Sequence, residues 1–193
     1  MKLSVQIKTL FTLAIALVFF GVAAAAISYK IYIDNSVEQH KRLAIGVARL
    51  VAETIDPNRI DEYLEQGKKS KDYETTKTKL YKIRESSPDI KFLYVYKIME
   101  DGCHVVFDLN TAEVEASAPG EIEEFEEAFD PYRDDLLAGK PIVPIISNDT
   151  FGHLLTIYKP VYDSTGHCTC YAGIDFSMDA VYDNNRMFIS RVI

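Results

Sequence analysis

The chain has 193 residues, of which 48% are hydrophobic and 26% charged, a globular composition that excludes wholesale disorder. Three cysteines are too few for a small disulfide scaffold. Acidic residues outnumber basic ones 29 to 21, a net charge of −8, which excludes a nucleic-acid binder built on a clustered positive surface.

The charge is unevenly placed. Lys2, Lys8 and Lys30 precede Asp34, the first acid. Thr9 to Tyr29 is uncharged, and a bilayer core of about 30 Å needs about 20 such residues as helix. Its Leu, Ile, Phe and Val side chains contribute roughly −3 to −6 kcal/mol to insertion. The spacing predicts a cytoplasmic N-terminus over 1–8, a membrane helix over 9–29 and an extracytoplasmic domain over 34–193. Lys2 and Lys8 set that orientation, and Tyr29 and Tyr32 fall at the expected aromatic belt. A cleaved signal peptide ending at Ala24-Ala25-Ala26 is the competing reading, although the apolar stretch exceeds the usual length of about 7–15 residues. Either one exports the rest of the chain.

Asp34 to Ile55 has helical periodicity, with Leu43, Val47, Leu50 and Val51 flanked by Ala44, Ile45 and Ala48. Ser36 and Gln39 fit a capping box. Joined to the membrane span, this segment predicts one rod from Thr9 to Ile55 of about 70 Å; two helices kinked near Asp34 are the alternative. Asp56-Pro57 stops this element and caps a short helix through Leu64. Asp72 to Ser87 is the next helix, with Tyr73, Thr76, Leu80 and Ile83 on one face, and Pro88 ends it.

The period then changes from 3.6 to 2. Phe92 to Tyr96 reads as a strand, and Asp101-Gly102 turns the chain into a second strand, His104 to Leu109. Glu121 to Ala138 reads as a helix whose acids form a solvated face, since no calcium-loop pattern accompanies them. Pro141 to Ile146 is an expected edge strand, because Pro144 bars it from a sheet centre. His153 to Tyr162 and Cys168 to Asp175 form a second hairpin about Asp163-Ser164-Thr165-Gly166. A last helix is expected from Met178, capped by Ser177. The result is an α+β domain with five antiparallel strands.

At this point the sequence resembles a bacterial single-Cache, PAS-like extracytoplasmic sensor domain. The resemblance rests on F-L-Y-V-Y at 92–96, Asp101-Gly102, V-F-D-L at 106–109, Y-K-P-V-Y-D-S-T-G at 158–166 and A-G-I-D-F-S at 172–177. It implies a sensory module of a chemoreceptor, histidine kinase or diguanylate cyclase and a parallel homodimer through the N-terminal helices; no enzymatic activity is expected, because no paired base, P-loop, oxyanion loop or glycosidase dyad can be read from the spacing. Such proteins usually carry a second span and a cytoplasmic output domain. The 193 residues include neither, and a fragment, a truncated product and a partner-dependent protein all stay open.

The family's ligand pocket lies on one face of the sheet, roofed by the segment between the hairpins. Strand alternation predicts Phe92, Tyr94 and Tyr96 on one face, with His104, Val106 and Asp108 from the next strand; Tyr158 and Asp175 join them from the last hairpin. A carboxylate there holds an ammonium, and Lys159 or Arg133 holds a ligand carboxylate. The candidate ligand residues are Tyr94, Tyr96, Asp108, Tyr132, Arg133, Tyr158, Lys159 and Asp175. Six of them have a plain structural reading too: packed strand aromatics for Tyr94, Tyr96 and Tyr158, caps for Asp108 and Asp175, a solvated side chain for Lys159. Asp175 sits where related double-Cache domains place an amino-acid-binding aspartate, but Pro131-Tyr132-Arg133 only loosely echoes their arginine motif. The expected ligand is a small organic carboxylate or amine; the alternative is an anchored protein- or cell-wall-interaction module. Cys103, Cys168 and Cys170, with His104 and His167, match no standard metal spacing, and no disulfide, metal or cofactor is expected.

Overall fold

A computed structural model describes residues 5–179, 181 and 182. They fall into two units, Met1–Gln39 and His40–Ile193. The described residues of the first, 5–39, are helical. They belong to α1 (Val5–Thr54), in which the secondary structure passes Asp34 without interruption. Its most apolar stretch has a mean hydropathy of 2.6 with nothing buried, so the helix is long and apolar enough to cross a membrane. The hydroxyls of Thr9 and Thr12 donate to the carbonyls of Val5 and Lys8 at 3.0 Å, which satisfies them within the helix.

The second unit begins with the last turns of α1. Ala44, Ala48 and Val51 are buried, whereas Leu43, Ile45 and Leu50 are exposed. The buried stripe is therefore the alanine side of the expected face, where small side chains permit close approach of the helix backbone. Asp56 caps a 3₁₀ turn, Pro57–Arg59, by accepting from the Asn58 N–H at 3.0 Å. The guanidinium of Arg59 then ties α2 (Ile60–Gln66) to the chain before α3 (Tyr73–Glu85). It donates to both Glu62 oxygens, to Asp72 and to Ser70. Tyr73, Thr76 and Leu80 form the buried face of α3, as their spacing predicts.

The sheet is antiparallel, in the order β3-β2-β1-β6-β5-β4. Its strands are β1 (Ile90–Met99), β2 (Gly102–Asp108), β3 (Ile122–Glu123), β4 (Ile145–Asp149), β5 (Gly152–Tyr162) and β6 (Cys168–Ser177). Both hairpins form as expected; the edge strand expected over Pro141 to Ile146 is shifted to Ile145–Asp149, leaving Pro141 and Pro144 outside it, and β4 does lie at the sheet edge. On one face Phe107 stacks on Tyr73 at 4.5 Å and meets Tyr63 edge-on at 5.1 Å. On the other, Tyr94, Tyr158 and Tyr171 pack with Phe129 and Leu136.

Three expectations are corrected. The sheet has six strands rather than five. The extra one, β3, comes from the segment expected to be a helix over Glu121–Ala138. That segment instead contains β3, a 3₁₀ stretch (Glu127–Tyr132) and the short helix α4 (Arg133–Leu137). Pro131 lies within it and cannot donate an interior helical hydrogen bond. Gly102 lets β3 come close: a Cβ there would lie 2.7 Å from the Glu123 carbonyl oxygen.

The third correction concerns alternation along β2. Val95 pairs with Phe107 but Tyr96 with Val105, so Val106 is an inserted, bulged residue. The Tyr73 hydroxyl donates to the Val106 carbonyl at 3.1 Å, giving the bulge a partner from α3. Beyond the bulge the faces exchange. Asp108 stays on the Tyr94 side, but Cys103, paired with Ile98, takes the place expected for His104. The His104 imidazole meets Asp101 at 2.8 Å instead. The helix expected from Met178 lies largely outside the described residues.

Candidate functional site

The tyrosine face of the sheet follows from register. Gly173 on the central strand β6 pairs with Tyr94 on one side and Tyr158 on the other; Asp175 pairs with Phe92 and Thr156. Gly173 has ordinary backbone geometry, absent from the positive-φ glycines. Its importance is spatial, because a Cβ there would lie 2.0 Å from the Tyr94 ring. The missing side chain seats that ring across the strand. Tyr94 then stacks on Tyr96 at 4.5 Å and meets Tyr158 edge-on at 5.9 Å. Its hydroxyl donates to Asp175 Oδ1 at 3.3 Å, where Asp175 is only 7% exposed.

Two adjoining cavities of about 380 and 220 Å³ open on this face, and Tyr96, Glu123 and Glu126 line both. Tyr94, Thr156 and Asp175 lie under the smaller, and Tyr158 under the larger. The segment from the end of β2 through α4 supplies the cover. Leu109, Val114 and Ser117 bound the smaller cavity; Phe125, Phe129 and Leu136 bound the larger. The carboxylate of Asp108 holds the start of this cover by accepting from the N–H groups of Leu109 and Ser117, each at 2.9 Å. The Ser117 hydroxyl donates to Glu123 at 2.5 Å.

Burial decides the ionisation of the floor. It raises the Tyr94 and Tyr158 phenols well above their usual range, with nearby Asp175 adding to the effect, and raises Tyr96 similarly. All three remain neutral hydroxyls at physiological pH. Burial also raises the Asp108 carboxyl, opposed by its two backbone donors. The Cys103 thiol, at the wall of the larger cavity, is pushed up to about 12, first by burial and then by Glu126 and Glu123. It is a neutral apolar wall rather than a nucleophile.

Five of the expected site residues meet here: Tyr94, Tyr96, Asp108, Tyr158 and Asp175. The other three do not line these cavities. Lys159, one residue past Tyr158, lies in an open groove with Arg49 and Glu53 from α1. Arg133 donates to the Glu100 carbonyl at 2.9 Å and lies over the Phe125 ring at 4.5 Å. Tyr132, half-buried, precedes it at the end of the 3₁₀ stretch. Sequence reasoning missed Glu115, Glu123, Glu124 and Glu126. Reading 121–138 as a helix counted the last three as a solvated face and gave them no part in the site; Pro131 was the available signal against that helix.

No family profile matches this chain, and no curated protein does. Among solved structures, the E. coli DcuS sensor domain is similar at 16% identity with a TM-score of 0.49; the match covers 77% of this chain and 96% of that one. The cavities and their lining, rather than this likeness, carry the functional reading. They belong to an α+β domain that keeps a covered cavity on one face of an antiparallel sheet.

Proposed function

We propose that the chain is a membrane-anchored extracytoplasmic sensor module with a PAS-like, single-Cache sheet. It binds a small organic carboxylate or amine for transmembrane signal transduction. The observation that carries this reading is the cavity pair on the tyrosine face: aromatic and aliphatic side chains beside placed hydroxyl and carboxylate groups, under a cover of loop, the two-residue β3, a 3₁₀ stretch and α4. All 29 acidic residues lie at Asp34 or beyond, on the side proposed to be exported, and the apolar start of α1 supplies the anchor. The protein works as a parallel homodimer. Leu43 and Leu50, exposed and seven residues apart with Val47 between them, have the spacing of a helix–helix seam. Ligand acts only through different affinity for two arrangements of those helices. No catalytic role is assigned.

The competing assignment is an anchored module that binds a protein or cell-wall partner and holds no small molecule. Thermal unfolding of the full chain in detergent separates the two. With a panel of amino acids, amines and carboxylic acids, at least one compound class is expected to raise Tm by several degrees, since ligand at 100 times Kd adds about 2.7 kcal/mol. No shift across the panel leaves the interaction module as the better assignment.

A further inference from the structure

Granting that the tyrosine-face cavities hold a small molecule, we infer that they select an organic cation, an amine or ammonium with an apolar body, and reject a carboxylate. The sign of the lining carries this inference. Asp108, Glu115, Glu123, Glu124, Glu126 and Asp175 line the two cavities, and no Lys, Arg or His lines either among the described residues. Three basic side chains come near and are held outside. Arg133 donates to the Glu100 carbonyl and lies over the Phe125 ring. Lys91 donates to the Phe151 carbonyl at 2.6 Å and lies 3.7 Å from Glu113. Lys77 acts on Asp108 from α3.

An anionic ligand entering here would meet like charge without a guanidinium or ammonium to receive it. A cation meets both elements that bind ammonium groups. One is the carboxylates, of which Asp175 is nine-tenths buried on the floor. The other is the aromatic rings of Tyr94 and Tyr96, stacked at 4.5 Å and both lining the smaller cavity with Phe92. Ring faces attract cations, most strongly where water is excluded. The aromatic walls also argue against a bare metal ion. Calcium takes six to eight oxygens at about 2.3–2.6 Å, and no three His, Cys, Asp or Glu side chains converge on one point among the described residues. A cavity of about 220 Å³ beside one of about 380 Å³ suits a short diamine or a small quaternary ammonium.

The test is calorimetric titration of the full chain in detergent with 1,4-diaminobutane, choline, succinate and calcium chloride, each alone. At least one of the two amines is expected to bind and succinate not to. Asp175→Asn keeps an oxygen for the Tyr94 hydroxyl but removes the charge; it is expected to weaken the amine about tenfold or more while leaving the unfolding midpoint within a degree or two. Glu126→Gln, on an exposed side chain, is expected to weaken it severalfold. Binding of succinate and of neither amine overturns the inference but leaves the sensor reading intact. Binding of calcium in place of the amines overturns the organic cation. Amine binding unaltered by both variants overturns the site. If no probe binds, this inference is overturned, and the thermal-unfolding panel decides the small-molecule reading separately.

Discussion

Replacing Gly173 with alanine is expected to destabilise the second unit by about 1–3 kcal/mol, the usual cost of forcing extra volume into a packed core. It should also abolish ligand binding in the cavities. The new methyl would lie 2.0 Å from Tyr94 Cε2 and 2.7 Å from Cζ, so the ring must move. It is confined by stacking on Tyr96 and edge contact with Tyr158, so movement breaks the aromatic floor and withdraws the hydroxyl from Asp175. The backbone at 173 is not the obstacle, because its φ is ordinary. Urea unfolding, followed by fluorescence of the twelve tyrosines in this tryptophan-free chain, measures the loss. A double-mutant cycle assigns its cause. In a Tyr94→Ala background the same glycine replacement should cost much less, since its collision partner is gone. Equal costs in both backgrounds would contradict the seating of Tyr94 on Gly173.

The second large effect belongs to the opposite face. Phe107 is 0% exposed, stacked on Tyr73 and edge-on to Tyr63. Phe107→Ala removes the ring on which α2 and α3 both rest and should cost about 3–5 kcal/mol. Its signature differs from that of Gly173→Ala. Phe107 lines neither cavity, so the fraction of Phe107→Ala that remains folded should bind ligand with unchanged affinity. Chemical denaturation gives the stability and titration at low temperature gives the affinity. A loss of affinity in the folded fraction would mean that the two faces of the sheet are coupled.

The contrast between these positions follows what was legible in the sequence. The α1 helix, the α3 face of Tyr73, Thr76 and Leu80, both hairpins and the edge position of β4 were all written in local pattern. So was the gathering of Tyr94, Asp108, Tyr158 and Asp175 on one face, since strand alternation needs only two residues of memory. By the same alternation Lys159 must oppose Tyr158, and its separation from the cavity was therefore readable. What failed was tertiary. The bulge at Val106 depends on a hydroxyl donated by Tyr73, 33 residues away, and no local pattern announces it. Having lost the bulge, the reading put His104 where Cys103 belongs. The acids of 121–127 resembled one solvated helix face because Glu and Phe there recur at helical spacing. In the fold that stretch is pinned by pairing Cys103 with Glu123 and His104 with Ile122, contacts that require Gly102 to lack a side chain.

Hydrogen–deuterium exchange on the full chain, with and without a compound that raises its Tm, tests most directly whether the tyrosine-face cavities are the sensory site. Slower exchange is expected in residues 109–129, which cover the cavities, and in β1, β5 and β6 beneath them. Protection confined to the groove formed by Arg49, Glu53 and Lys159, with 109–129 unchanged, would contradict it.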